Sequence, residues 1–165
     1  VTVKNYGQVE IDDGGTLEMF ERLAKLGGDQ SEALDAIGDA WLARVQLGFA
    51  GGADPWGVPW APLKWRSGQP LRDKGHLMNS YSYQVSGGDT LDLGTNYGQL
   101  TGGGSIAAVH QFGTNKAGRG HKTRIPARPM LPISEYAALP KDWADEALEI
   151  LRDAIDAAAR PPGAA

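Results

Sequence analysis

The stretch SYSYQVSGGDTLDLGTN (residues 80–96) decides the fold class. Tyr81, Tyr83 and Val85 alternate with Ser and Gln, GGD supplies a turn, and TLDLGTN alternates again. Successive side chains of a strand point to opposite faces, so a period of two on both sides of a glycine turn predicts an antiparallel hairpin.

Upstream the period changes. Leu34, Ile37, Trp41, Val45 and Phe49 repeat at helical spacing, which predicts a helix capped by Asp29 or Ser31 and stopped by Gly51-Gly52. Its acids Glu32, Asp35 and Asp39 lie towards the N-terminal half, where the helix dipole favours them. TLEMFERLAKL (16–26) reads as an earlier helix with Thr16 as its cap and Gly27-Gly28 as its stop, and TVKNYGQVEI (2–11) reads as a short strand. Downstream, GQLTGGGS (98–105) reads as a flexible connection and IAAVHQFG (106–113) as one or two turns of helix. TNKAGRGHKTR (114–124) reads as a basic loop, and IPARPMLP (125–132), with three prolines, as extended chain. PKDWADEALEILRDAIDAAAR (140–160) predicts a final helix with Pro140 near its start and a buried stripe of Ala144, Ala147, Leu148, Leu151, Ile155 and Ala158. The class expected is α+β: a small central antiparallel sheet flanked by N-terminal helices and a C-terminal helix. One domain over 1–165 is expected, with a helical part (1–53), a strand and loop part (54–134) and the last helix (135–160).

Composition removes several functions. Hydrophobic residues at 41% and charged ones at 22% are globular rather than disordered proportions. With no cysteine there is no disulfide, thiolate zinc site or thiol nucleophile. VTVKNYGQVEIDDGG lacks the basic and apolar regions of a signal peptide, and no apolar run nears the roughly 20 residues of a membrane helix. The expectation is a chain made in a cytosol, or built into something assembled there. His76, His110 and His121 lack metal-ligand spacing. GxSxG, HExxH and P-loop patterns are absent, GGGS (102–105) lacks the lysine of a phosphate cradle, and the paired acids sit on helices where a solvated face explains them. No catalytic constellation, cofactor or metal site is expected.

The charge is segregated. Residues 1–54 carry −6, residues 55–134 carry +6 and residues 135–165 carry −4. Between Asp92 and Glu135 there is no acid, while Lys116, Arg119, Lys122, Arg124 and Arg128 all occur. Such a chain can set its acidic face against a neighbour's basic face, or lay its basic part on a polyanion. With no aromatic residue between Gly113 and Arg124, base stacking is disfavoured, which leaves subunit contact first and DNA phosphate contact second for Lys116, Arg119, Lys122 and Arg124.

DPWGVPWAPLKW (54–65) holds three of the five tryptophans and three prolines. PWAPLK matches a polyproline-ligand pattern, but exposed tryptophans forfeit about 1.5–3 kcal/mol each. An internal clamp or an anchor into a neighbouring subunit is the better reading. Prolines lower the entropy lost on ordering the arm, and indoles then supply rigid contact area. One of Trp56 and Trp60 is expected on the chain's own core, with the arm also touching a neighbour.

DPWGVPWAPLKW, RDKGHLMNSYSYQV (72–85), LDLGTN, AAVHQFG and IPARPMLPIS follow one another in fixed order. In this the chain resembles the phage virion morphogenesis family that includes the Mu G-like and P2 S-like tail completion proteins. The likeness covers about 54–134, with one departure: GQLTGGGSI separates Tyr97 from Ala107, where the family runs straight from tyrosine to alanine. The resemblance implies a structural protein of a tailed phage or prophage, in the tail or neck of the virion and assembled in the bacterial host cytoplasm. It implies a homo-oligomeric ring, six-fold by analogy with the tail, with other neck and tail proteins as partners, DNA passing through the channel, and no membrane. Trp56, Trp60, Trp65, His110, Gln111, Phe112, Pro126 and Arg128 are the residues expected to anchor such contacts or brace the turn beside them. Arg128, between prolines, is expected to donate to carbonyls at a helix end or to an acid across a subunit boundary. A capsid assembly factor absent from the finished virion, and a DNA-contacting module using residues 116–128, are the alternatives. A tail-associated cell-wall hydrolase comes last.

Overall fold

The computed structural model describes residues 2–4, 8–10, 29–101, 104–133 and 138–159. The predicted helix over 16–26 lies outside them. The fold is α+β, with elements in the order β1 (Thr2–Lys4), β2 (Gln8–Glu10), α1 (Ser31–Gly51), β3 (Ser82–Ser86), β4 (Thr90–Gly94), α2 (Ile106–Phe112), β5 (Thr114–Ala117), β6 (Thr123–Ile125) and α3 (Lys141–Ala159). A single 3₁₀ turn, Met78–Ser80, leads into β3. The strands pair antiparallel, β1 with β2, β3 with β4 and β5 with β6.

Helix α1 is the element against which the β3–β4 hairpin and α3 both pack. Ala33, Leu34, Ile37, Trp41, Val45 and Phe49 are all buried, as their spacing requires. The N-cap position falls to Gln30, while Asp29 accepts the backbone N–H of Ser31 at 2.9 Å and so serves the first turn from one residue upstream. Gly52, left-handed at φ 71°, returns its N–H to the Gly48 carbonyl and ends the helix. Gln69, which nothing in the sequence pattern marks, adds its amide to the free carbonyls of Phe49 and Ala50, both at 2.9 Å.

The β3–β4 hairpin lies across α1 with Tyr83 opposite Leu93 and Val85 opposite Leu91. Gly38 permits this approach, because a Cβ there would come within 2.4 Å of the Tyr83 ring. Tyr83 then donates its hydroxyl to Asp39 at 2.8 Å.

On another side of α1 lies α3. The Trp41 and Trp143 rings meet at 5.8 Å, and the Trp41 indole N–H reaches the Trp143 carbonyl at 3.2 Å. Arg44 reaches across to both Asp142 and Glu146. The buried positions of α3 are Trp143, Ala147 and Leu151, flanked by Ile150 and Ala154. This corrects the predicted stripe: Ile155 is 41% exposed, because Trp143 sets the rotation of the helix and carries Ile155 to the rim.

Two further corrections concern strands. Thr2–Lys4 and Gln8–Glu10 are two strands paired antiparallel rather than one strand, with Val3 opposite Val9. The basic stretch 114–124 is a hairpin rather than a loop, with a register shift between Thr114 and Ala117. Its burial never alternates cleanly, since most of both strands faces water, so a pattern search finds no apolar face there.

Candidate functional site

The arm begins as a tight loop. The Asp54 carboxylate accepts the N–H groups of Trp56 and Val58 at 2.9 and 2.8 Å, and the Asp54 N–H meets the Val58 carbonyl at 2.9 Å. An aspartate ahead of a P-W-G stretch is a readable turn signal. Trp60 then drops into the core: its ring meets Phe49 edge-on at 5.4 Å, and its N–H donates to the Pro129 carbonyl at 2.8 Å. Trp56 is half-buried and donates to the Ala138 carbonyl at 3.2 Å. Trp65 is 95% exposed. Trp60 and Trp56 are thus internal ties, and Trp65 is the indole left in water.

What holds the arm is the segment after β6. Arg128, only 6% exposed, donates its Nε to the Ala61 carbonyl at 2.8 Å and its Nη2 to that of Pro62 at 3.3 Å. The expected acceptors are carbonyls at a helix end or an acid across a subunit boundary. Within the chain the carbonyls are those of the arm rather than of a helix end, because Pro129 and Trp60 bring the two segments side by side.

Gln111 locks that segment to α2. Buried, it accepts the N–H groups of Met130 and Leu131 at 2.8 and 3.1 Å and donates to the Leu131 carbonyl at 2.9 Å. One amide side chain thereby completes a stretch of backbone that has no strand partner. The chain also bonds backbone to backbone here, Arg128 N–H to His110 carbonyl at 2.7 Å. Gly113 must be glycine: φ is 70°, and a Cβ would come within 2.7 Å of the Ala127 nitrogen. Phe112 is 52% exposed and Pro126 half-buried, so neither belongs to the lock.

The sequence departure at 98–106 closes on itself. Gln99 bridges Ser105, and the Ile106 and Ala107 N–H groups return to the Gly98 and Tyr97 carbonyls at 2.9 and 3.4 Å. Tyr97 and Ala107 therefore end up adjacent in space although the sequence separates them. Ser105 caps α2 by accepting the Ala108 N–H at 3.1 Å.

Of the histidines, His76 and His110 line one cavity beside Arg128, while His121 sits on the β5–β6 turn with its Nδ1 3.3 Å from the Lys116 carbonyl. Burial, with the Arg128 charge nearby, holds His110 below the usual imidazole range. Among the described residues no three metal-type side chains gather. Lys116, Arg119, Lys122 and Arg124 are all exposed on the β5–β6 hairpin. Among the described residues no helix is long and apolar enough to cross a membrane.

The arm, the Arg128 tie and the glutamine lock are built from the segments that carry the family likeness, and comparison with known proteins decides the matter. Residues 11–154 match the phage virion morphogenesis family. The chain belongs to that family. Within it, the "Mu-like prophage FluMu G protein 2" of Haemophilus influenzae is 34% identical over 150 residues, covering 90% of this chain and 94% of the relative. No solved structure matches the fold. The family assignment extends the likeness well beyond 54–134, into α1 and most of α3.

Proposed function

We propose that this virion morphogenesis protein acts in tail completion and head–tail joining, as a subunit of a ring held by surface contacts and without catalysis. The observation that carries the reading is Trp65: an indole 95% exposed on a proline-stiffened arm that Trp60 and Arg128 fix to the core. Burying that ring against a neighbour recovers about 1.5–3 kcal/mol that the isolated chain forgoes, and a pre-ordered arm costs little entropy to dock. A heterologous contact repeated around a closing rotation makes a ring, and a hexamer matches the six-fold tail that the family implies.

The test is to stop translation of the gene in the phage or prophage that carries it and examine the lysate by negative-stain electron microscopy. DNA-filled heads beside unattached tails are expected. Empty or aberrant heads would move the protein to capsid assembly, and intact infectious particles would overturn the structural reading. The exposed cations of β5–β6 support a second reading, contact with DNA phosphates, which requires binding that falls steeply with salt.

A further inference from the structure

Between the arm, residues 66–77 and α2 lies a cavity of about 210 Å³. Arg66, Lys74 and Arg128 line it together with His76 and His110, against one carboxylate, Asp73. Leu71 and Leu77 form apolar wall.

Its charge is not balanced from within. Arg128 is almost wholly buried, yet its two hydrogen bonds go to neutral carbonyls, and among the described residues no carboxylate lies within ion-pair distance. A buried cation without a counter-ion is costly, and a guanidinium has five N–H donors of which two are used here. The buried Nδ1 of His110 also has no partner among the described residues. Arg44 is the contrast: it is more exposed than Arg128 and has two carboxylates.

Taking the ring reading above as its premise, we propose that this cavity is a socket for a carboxylate side chain presented by a second copy of the chain. The recess of Arg128 disfavours the alternative anion, a nucleic-acid phosphate. Phosphates of a duplex lie on a convex surface and are met by protruding side chains, such as those of β5–β6, whereas Arg128 sits behind the arm. An aspartate or glutamate on a helix can reach in. Glu149, Asp153 and Asp156 on α3 are exposed, are spaced four and three residues apart on one face, and have no ion pair among the described residues. Asp142, Asp145 and Glu146 on the same helix are already paired. Glu32 and Asp35 of α1 are exposed and without an ion pair among the described residues too, but they are two against the three of α3. The Glu149–Asp153–Asp156 stripe of the next subunit is therefore assigned as the donor, and the contact is heterologous, as a ring requires.

The test uses charge reversal at exposed positions, leaving Arg128 in place. Self-association of the full chain is measured by sedimentation velocity for wild type, the double variant Arg66→Glu/Lys74→Glu, the double variant Glu149→Lys/Asp153→Lys, and all four combined. Far-ultraviolet circular dichroism and tryptophan emission check that each is folded. Each double variant is expected to associate at least tenfold more weakly and the combined variant to recover most of the loss. Folded double variants that associate within twofold of wild type would overturn the socket while leaving the ring intact. A wild-type chain that stays monomeric would remove the ring and the socket together. Anisotropy with a 5′-labelled 20-base-pair duplex supplies the last arm: no dependence on Arg66 and Lys74 is expected, and loss of DNA binding in Arg66→Glu/Lys74→Glu would reassign the cavity to phosphate.

Discussion

Replacing Gln111 by alanine removes the lock between α2 and the 128–131 segment while leaving helix propensity intact. The side chain makes three buried hydrogen bonds, at 2.8, 2.9 and 3.1 Å, so the substitution orphans the Met130 and Leu131 N–H groups, while the Leu131 carbonyl keeps the Ile133 N–H at 2.8 Å. Each orphaned buried group costs about 1–3 kcal/mol. Water entering the vacated space can satisfy one of them, so the expected loss is about 2–4 kcal/mol, or about 10 °C in Tm for a domain of this size. The assay is urea denaturation followed by tryptophan emission, which also reports whether Trp60 leaves its place. Gln111→Glu separates hydrogen bonding from volume. It keeps the acceptor for Met130 and Leu131 but faces the Leu131 carbonyl with a charge in place of a donor. Burial, together with the Leu131 carbonyl, opposes the charge and outweighs the two N–H donors that favour it, so the carboxyl pKa is raised in the folded state. The variant is destabilised above that pKa and recovers as pH falls below it, when the neutral acid donates again. A loss below about 1 kcal/mol for Gln111→Ala, or a pH-independent Gln111→Glu, would refute the reasoning.

Other outcomes follow from the same geometry. Arg128→Lys keeps the charge but cannot reproduce the two-carbonyl fork to Ala61 and Pro62, so a loss of about 2 kcal/mol is expected in thermal melts; wild-type stability would sink the tie. Gly113→Ala meets both a left-handed φ and the Ala127 backbone, and should cost more than about 3 kcal/mol, read as the loss of folded soluble protein. His110 is held below its ordinary pKa by burial and by Arg128, so its neutral form stabilises the fold above about pH 6.5, and that contribution is lost as pH falls through the lowered value. A ring-proton titration by NMR at or above the ordinary value would contradict this. Trp65→Ala should leave stability within about 0.5 kcal/mol, since it touches so little of its own chain, while reducing plaque formation; full infectivity would remove the anchor.

The sequence by itself determined the elements whose periodicity one packed face enforces. The stripe from Leu34 to Phe49, the 82–94 hairpin and the short helix ending at Gly113 are where their spacing puts them, because each lays one side on the core. Motif order determined the family. Periodicity failed where no face is buried, as in β5–β6, and where one large residue outweighs the rest, as Trp143 does in turning α3. Only the tertiary structure decided which indole is core and which is free, since Trp56, Trp60 and Trp65 look alike along the chain. Only it brought Arg128 to Ala61 and Pro62 across more than sixty residues, and Gln111 to Met130 and Leu131. It alone gathered Arg66, Lys74, His76 and His110 around that guanidinium. Local sequence encodes which side of an element avoids water. Partners for isolated polar groups are set by where the chain returns, and that is a property of the packed whole.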